Sequence, residues 1–242
     1  MKQAMIFAAG LGTRLKPLTD TMPKALVPVA GKPLLWHVVH RLADAGFDRV
    51  VVNVHHFADQ IIDYLDRHGR FGLDIAVSNE REQLLETGGA IRKAMPLFDA
   101  DSPVLIHNVD ILSNIDLRQL YANATDADAL LLVSDRRTQR YLLFDDDNRL
   151  VGWTNLATGE VRGPQKLQPR ASQRYAFSGI HVLSTGLMRR MDTYPERFPI
   201  IDFYLNECAS ACIKAQPMPG LRLMDVGKLD TLQEAEQFLM SL

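Results

Sequence analysis

The chain has 242 residues, of which 47% are hydrophobic and 23% charged, and its formal net charge is -2. This length suits one large α/β domain or two small ones, and the composition is typical of a globular soluble protein. The slightly negative charge argues against a nucleic-acid-binding protein with a basic face. No apolar run is long enough to span a membrane.

The first half of the chain alternates apolar runs with amphipathic segments. The apolar run over 4–9 predicts a buried strand at the very start, which indicates that no signal peptide is present. The patterns that follow predict a helix over 33–46, a strand over 49–54, a helix over 58–66, a strand over 73–77, a helix over 86–98 and a strand over 103–106. This alternation predicts an α/β fold with a doubly wound, mostly parallel, Rossmann-like sheet, in which ligands bind at the carboxyl ends of the strands.

The second half, from about residue 126, has a mixed α+β pattern. It predicts strands over 128–134, 140–144 and 149–153, a polar loop over 156–174, a strand over 175–183, helices over 187–191 and 201–212, a strand over 221–226 and a helix over 230–239. No change in composition marks a linker, so we expect a single domain over 1–242.

Two cysteines, Cys208 and Cys212, lie four residues apart in the predicted helix over 201–212. No histidine or third cysteine is near enough in sequence to suggest a metal site. We therefore expect buried structural thiols and a cytoplasmic protein.

A loop of small residues, 8–13, follows the first strand and is followed in turn by Arg14 and Lys24. Such a loop lets backbone N–H groups approach an anion, and the two basic side chains can bind phosphate oxygens. Gly10 and Gly12 alone are equally typical of a tight turn. Leu15 occupies the place of the third glycine of a dinucleotide fingerprint, and no Walker A motif is present.

The longer string over 7–33 is far more specific. It contains Gly-x-Gly-Thr-Arg-Leu-x-Pro-Leu-Thr and then Pro-Lys-x-Leu-x-Pro-Val-x-Gly-Lys-Pro. This string closely resembles the signature of the sugar-1-phosphate nucleotidyltransferases. The resemblance implies a nucleotide-diphospho-sugar transferase fold, with a nucleotide-binding half over about 1–125 and a sugar-binding half over about 126–242. It also implies a reaction in which a nucleoside triphosphate and a sugar 1-phosphate give a nucleoside-diphosphate sugar and pyrophosphate.

Asp110 and Asp225 each end an apolar run that predicts a strand. Asp110 alone is nearly as typical of a turn or a helix cap, but Mg²⁺ is commonly held by one or two carboxylates and substrate phosphates. The resemblance implies that both aspartates bind Mg²⁺, although Val109 stands where the family has glycine. By the same resemblance, Arg14 binds the leaving β- and γ-phosphates, and Lys24 binds the α-phosphate and the incoming sugar phosphate.

The remaining nucleotide contacts are also implied by the resemblance. The phosphates would be bound by Ala9, Gly10, Gly12, Thr13 and Arg14, and the base by Gln83 and Gly88. Without the resemblance, Gln83 and Gly88 are nearly as typical of a surface loop and the glycine-rich start of a helix.

On the sugar side, the resemblance points to Asn108 and to Gly179, whose missing side chain leaves room for the sugar ring. The Glu-Lys-Pro string of longer relatives is absent. Lys166, Arg170 and Arg174 are open as replacements for its lysine.

The Glu-Thr-Gly-Gly string over 86–89 resembles two groups within the family. One group is the short uridylyltransferases that act on N-acetylmuramate 1-phosphate, and the other is the mannose and heptose guanylyltransferases. We expect UTP as donor and N-acetylmuramate 1-phosphate or a related hexose 1-phosphate as acceptor, in a monomer or homodimer. The alternatives are a GTP- or CTP-dependent enzyme and an inactive regulator that binds nucleotide sugars.

Overall fold

The computed structural model describes residues 1–242. Its first half contains β1 (Gln3–Phe7), β2 (Pro28–Val29), β3 (Lys32–Pro33), α1 (Leu34–Asp44), β4 (Arg49–Val54), α2 (Ala58–Arg67), β5 (Asp74–Asn79), α3 (Glu86–Ala94), β6 (Val104–Asn108), β7 (Ile111–Ser113) and α4 (Leu117–Ala122). Its second half contains β8 (Ala129–Ser134), β9 (Arg140–Phe144), β10 (Leu150–Asn155), β11 (Glu160–Arg162), β12 (Gln173–Leu183), α5 (Thr185–Arg189), α6 (Ile200–Glu207), β13 (Ile213–Pro217), β14 (Leu223–Asp225) and α7 (Thr231–Met240). None of the helices is long and apolar enough to cross a membrane.

One ten-stranded sheet runs through both halves of the chain. The strands β5, β4, β1 and β6 lie side by side in that order, and all are parallel. The long strand β12 pairs antiparallel with β6, β8 and β9, so it joins the second half to the edge of the parallel part. The predicted α/β fold with a mostly parallel, doubly wound sheet and an α+β extension is confirmed.

The central strands β1 and β4 are apolar because both faces of the sheet are covered. In β1, Ala4 and Ile6 belong to one buried apolar cluster and Met5 to the other. Val51 of β4 likewise belongs to a different cluster from its neighbour Val52. Since side chains alternate between the faces of a strand, the two clusters lie on opposite faces of the sheet.

The predicted helix over 201–212 is wrong in its second half. The helix α6 ends at Glu207, and the chain then enters β13, which pairs parallel with β8. Cys208 is buried at the end of α6, whereas Cys212 is half-buried and lies outside the helix. The backbone N–H of Cys212 donates to the Asp128 carboxylate at 2.8 Å, which fixes the chain in an extended path toward β13.

The segment over 156–174 contains regular structure where a loop is predicted. The strand β11 pairs antiparallel with β10, and a short 3₁₀ helix occupies Gln168–Arg170. The turn between β10 and β11 is closed by the N–H of Gly159, which donates to the carbonyl of Asn155 at 2.8 Å. Gly159 has a φ of 72°, a left-handed conformation that glycine adopts without steric cost.

Candidate active site

A cleft of about 450 Å³ opens at the carboxyl ends of the parallel strands. This is the edge at which ligands bind in doubly wound sheets. The residues that line it come from the end of β1 and the loop after it, the turn before β2, the ends of β4, β5 and β6, the start of α3 and the segment after β14: Phe7, Ala8, Ala9, Gly10, Leu11, Gly12, Thr13, Arg14, Lys24, Asn53, Glu80, Leu84, Glu86, Thr87, Asn108, Val109, Asp110 and Gly227.

The loop after β1 is held in one conformation. Gly12 has a φ of 66°, and a Cβ atom there would lie 2.8 Å from Cγ2 of Thr19. The Thr19 hydroxyl donates to the carbonyl of Gly12 at 2.8 Å. At the start of the loop, the N–H of Ala8 donates to Oδ1 of Asn53 at 2.8 Å. Close packing therefore requires glycine at position 12, whereas a Cβ atom at Gly10 would have no neighbour within 4 Å.

A row of buried hydrogen bonds supports the floor of the cleft, and the sequence patterns did not predict it. Nδ2 of Asn53 donates to the Glu80 carboxylate at 2.7 Å, and the N–H of Leu85 donates to its other oxygen at 3.1 Å. Both polar side chains are buried, and burial raises the pKa of the Glu80 carboxyl above its usual range. A sequence signal existed, because Asn53 interrupts the apolar strand β4.

Asp110 and Asp225 meet in the folded chain. Asp110 immediately precedes β7, and β14 pairs antiparallel with β7 so that Asp225 lies opposite Ile111. The N–H of Val226 donates to the backbone carbonyl of Asp110 at 2.8 Å. The pKa of the Asp225 carboxyl is raised, mainly by partial burial and further by the charge of Asp110. The two carboxylates therefore lie near enough to repel each other at this end of the sheet.

The two predicted basic residues lie beside this pair of aspartates. The Lys24 ammonium donates to the Asp110 carboxylate and forms an ion pair with it. Arg14 is exposed and approaches Asp225 across Gly227, where a Cβ atom would lie 2.8 Å from Nη2 of Arg14 and 2.7 Å from Oδ1 of Asp225. Glycine at 227 thus permits this approach.

Asn108 and Gly179 are direct neighbours. Gly179 has a φ of 77°, and a Cβ atom there would lie 2.5 Å from Nδ2 of Asn108. Asn108 lines the cleft at the end of β6, next to Asp110. Gly179 therefore keeps space beside Asn108 on the side of the cleft that faces the second half of the chain.

The sequence matches one protein-family model over nearly its whole length. The family model described as nucleotidyl transferase matches residues 3–241. This chain belongs to the nucleotidyl transferase family.

Individual nucleotidyl transferases are similar to parts of the chain or to its fold. The N-acetylmuramate alpha-1-phosphate uridylyltransferase of Caulobacter vibrioides is 50% identical over 111 residues, which are 45% of this chain and 46% of that protein. The enzyme of the same name from Neisseria meningitidis serogroup B is 45% identical over 124 residues, which are 51% of this chain and 53% of that protein. The chain thus spans about half the length of these curated relatives.

Similarity in three dimensions covers nearly the whole chain. The crystal structure of HddC from Yersinia pseudotuberculosis complexed with GMP-PN has a TM-score of 0.78 and 23% sequence identity. The match covers 99% of this chain and 100% of that chain. At this level of identity, the similarity shows a shared fold.

Two residues that the nucleotidyl transferase signature assigns to the base lie outside the cleft. Gln83 is exposed, and its side chain makes no hydrogen bond. Gly88 is buried, its N–H donates to the carbonyl of Phe198 at 2.8 Å, and a Cβ atom there would overlap the Phe198 ring. The glycine at 88 is thus explained by packing, while base contacts by Gln83 and Gly88 stay a prediction.

Two of the three basic residues that the sequence leaves open as replacements for the Glu-Lys-Pro lysine contact other residues of the chain. Arg170 pairs with Asp145 at 2.7 Å, and the Arg174 guanidinium lies 5.3 Å from the centre of the Tyr141 ring. Arg136, which sequence analysis did not single out, is near enough to Asp225 for its charge to lower the pKa of that carboxyl.

Proposed function

We propose that this protein transfers a uridylyl group from UTP to a sugar 1-phosphate, with N-acetylmuramate 1-phosphate as the preferred acceptor. The main support is the convergence of Asp110, Asp225 and Arg14 beside the glycine loop at the end of β1. The choice of UTP and of the acceptor is supported by the two relatives named above, whose most similar segments cover about half of the chain.

In the proposed reaction, an oxygen of the sugar phosphate attacks the α-phosphorus of UTP. A new phosphorus–oxygen bond forms there, the bond to the β-phosphate oxygen breaks, and pyrophosphate leaves. The second pKa of a phosphate monoester is near 6, so the attacking group is mostly dianionic at neutral pH and needs no general base. The protein then has to position the two phosphates and stabilise negative charge.

The cleft residues have distinct roles in this scheme. The backbone of the loop that contains Gly10 and Gly12 holds the triphosphate, and Arg14 neutralises the departing pyrophosphate. Lys24 leaves its ion pair with Asp110 to meet the α-phosphate and the sugar phosphate. Asn108 and Gly179 border the acceptor.

The pair of aspartates suits Mg²⁺. This ion is commonly held by one or two carboxylates, several waters and substrate phosphates, and no third carboxylate, histidine or cysteine joins Asp110 and Asp225. The repulsion between the two carboxylates, which raises the pKa of Asp225, is a cost that a cation removes. When bound there, Mg²⁺ neutralises charge on the phosphates.

Pyrophosphate release measured with each of the four ribonucleoside triphosphates tests the proposal. The acceptor panel contains the 1-phosphates of N-acetylmuramate, N-acetylglucosamine, glucose, mannose and a heptose. We expect the highest kcat/KM for UTP with N-acetylmuramate 1-phosphate. Preference for GTP with mannose or heptose 1-phosphate would replace the proposal with a guanylyltransferase. Absence of release with every pair, with retained binding of nucleotide sugars, would indicate a regulator.

A further inference from the structure

A second cavity, of about 420 Å³, lies between β9, β10, β12 and the start of α6. Its walls combine basic and aromatic side chains, including Arg136, Arg140, Arg162, Tyr141, Trp153 and Phe177. We call it the arginine cavity. Flat aromatic faces next to cationic groups are suited to a ligand with both apolar ring faces and negative charge.

The arginine cavity lies next to the cleft. Arg136 lines the cavity, and it is hydrogen-bonded to the backbone carbonyl of Phe177 on β12. Phe177 lies two residues before Gly179 on β12, and Gly179 abuts Asn108 of the cleft wall. A ligand with its phosphate beside Asn108 and Asp110 can therefore extend its other end toward the arginine cavity.

Two of the three arginines in the cavity form no ion pair within the protein. Arg162 pairs with Asp202, and its guanidinium lies 5.1 Å from the centre of the Trp153 ring. Arg136 and Arg140 have no carboxylate partner. Nη2 of Arg136 donates to the backbone carbonyl of Phe177 at 3.2 Å, and the side chain of Arg140 has no hydrogen bond within the chain. Two arginines without acidic partners in one cavity form a site for anionic groups.

We propose that the arginine cavity selects a sugar 1-phosphate with a second negative group, a carboxylate on a substituent of the ring. Arg136, which contacts β12 two residues before Gly179 and the cleft, binds the 1-phosphate. Arg140, at the start of β9, binds the carboxylate. Tyr141, Trp153 and Phe177 border the sugar ring between them. This assignment rests on the proposed function, because it identifies the acceptor of that same reaction.

The test compares two acceptors that differ in one substituent, the lactyl ether that carries the carboxylate. N-acetylmuramate 1-phosphate has a lactyl ether with a carboxylate, and N-acetylglucosamine 1-phosphate lacks it. We expect Arg140→Gln to lower the ratio of the two kcat/KM values by about ten- to a hundredfold, as expected for the loss of a charged hydrogen bond. Arg136→Gln should lower both kcat/KM values by similar factors and leave their ratio unchanged.

Arg137 provides the matched control, because it lies between the two in sequence, is exposed and does not line the cavity. Arg137→Gln should leave the ratio of the two kcat/KM values as in the wild type. Arg140→Lys should retain part of the preference for the carboxylated acceptor. An Arg140→Gln variant with the wild-type ratio would overturn the assignment, as would wild-type enzyme that uses both acceptors equally well.

Calorimetric titration of each sugar phosphate without nucleotide separates this assignment from the proposed function. If neither acceptor is turned over but the protein binds the carboxylated one more tightly, and Arg140→Gln removes that preference, the transfer reaction is wrong and the cavity assignment stands. If both acceptors are turned over and Arg140→Gln changes neither binding nor kcat/KM, the transfer reaction stands and the cavity assignment is wrong.

Discussion

Arg14 is the exposed cation that approaches Asp225, and its proposed role is to stabilise charge on the leaving pyrophosphate. We expect Arg14→Ala to lower kcat by about a hundredfold or more, as the loss of one electrostatic contact to a transition state does. The melting temperature should stay close to that of the wild type, because Arg14 makes no ion pair and packs little. Steady-state pyrophosphate release and thermal unfolding measure the two effects.

Lys16 is the control for Arg14. It is an exposed basic residue of the same segment, it pairs with Asp20 at 3.1 Å, and neither residue lines the cleft. Lys16→Ala should retain most of the activity. Retention of most activity by Arg14→Ala would remove Arg14 from the mechanism.

Asn53 holds the buried Glu80 carboxylate and the start of the glycine loop at once. In Asn53→Asp, the side chain still accepts from Ala8 but no longer donates to Glu80. Two adjacent buried carboxylates raise the pKa of the pair above the ordinary carboxyl range. The folded state then binds more protons than the unfolded state, so stability is lost as the pH rises through the raised pKa.

We therefore expect Asn53→Asp to reduce the free energy of unfolding by about 2–4 kcal/mol at about pH 8, and by less at about pH 5. Urea unfolding at both pH values, compared with the wild type at each, measures the effect. Combining Asn53→Asp with Glu80→Gln places an amide donor beside the introduced carboxylate and should abolish the pH-dependent loss. An equal loss at both pH values in the single variant would show that the two carboxylates do not interact.

Among the helices, α3 owes its glycines to close packing against the segment before α6. A Cβ atom at Gly88 would overlap the Phe198 ring, whereas one at Gly186 in α5 would have its nearest neighbour, Oγ of Ser184, at 3.9 Å. We expect Gly88→Ala to destabilise the protein by about 1–3 kcal/mol and Gly186→Ala to be neutral or stabilising by up to about 1 kcal/mol.

Urea unfolding of the two variants side by side separates packing from helix propensity, since both replace a helical glycine by alanine. Equal stability of Gly88→Ala and the wild type would mean that the segment at Phe198 moves away easily. In that case, Gly88 would again be a candidate for direct contact with the base.

Elements with strong local patterns could be predicted from the sequence. The strand β4 has its predicted bounds, and α2 differs from its prediction by one residue, because apolar periodicity there reflects burial directly. The strand β13 could not be predicted. Its five residues include Lys214 and Gln216, and its extended form depends on pairing with β8, which is distant in sequence.

The candidate site likewise contains features that could be predicted from the sequence and features that could not. The meeting of Asp110 and Asp225 could be predicted from the family resemblance, and the antiparallel pairing of β14 with β7 brings it about. Burial of Glu80 could not, because Glu80 lies in a polar stretch and is covered only when α3 packs over β5. Arg136 was missed because its place follows from the path of the loop after β8.

At the scale of the whole molecule, the C-terminal segment completes the site that the N-terminal loop begins. The strand β14 pairs with β7, and Val226 and Ala235 are buried in the same apolar cluster as β1 and α1. The two aspartates thus belong to segments that come together only in the folded chain. A ligand that needs both aspartates binds the native state alone, and its binding free energy adds to stability.

We expect UTP with Mg²⁺ at about a hundred times the dissociation constant to stabilise the protein by about 2.7 kcal/mol. For a chain of this size, that corresponds to a rise in melting temperature of about 5–10 °C.

Asp225→Asn without ligand should be at least as stable as the wild type, because it removes the repulsion from Asp110. With UTP, however, the variant should gain little from added Mg²⁺. Thermal unfolding with UTP alone, with UTP and Mg²⁺, and after addition of EDTA measures these differences. An equal Mg²⁺-dependent shift in wild type and Asp225→Asn would exclude Asp225 as a ligand, and absence of any shift in the wild type would exclude the proposed magnesium site.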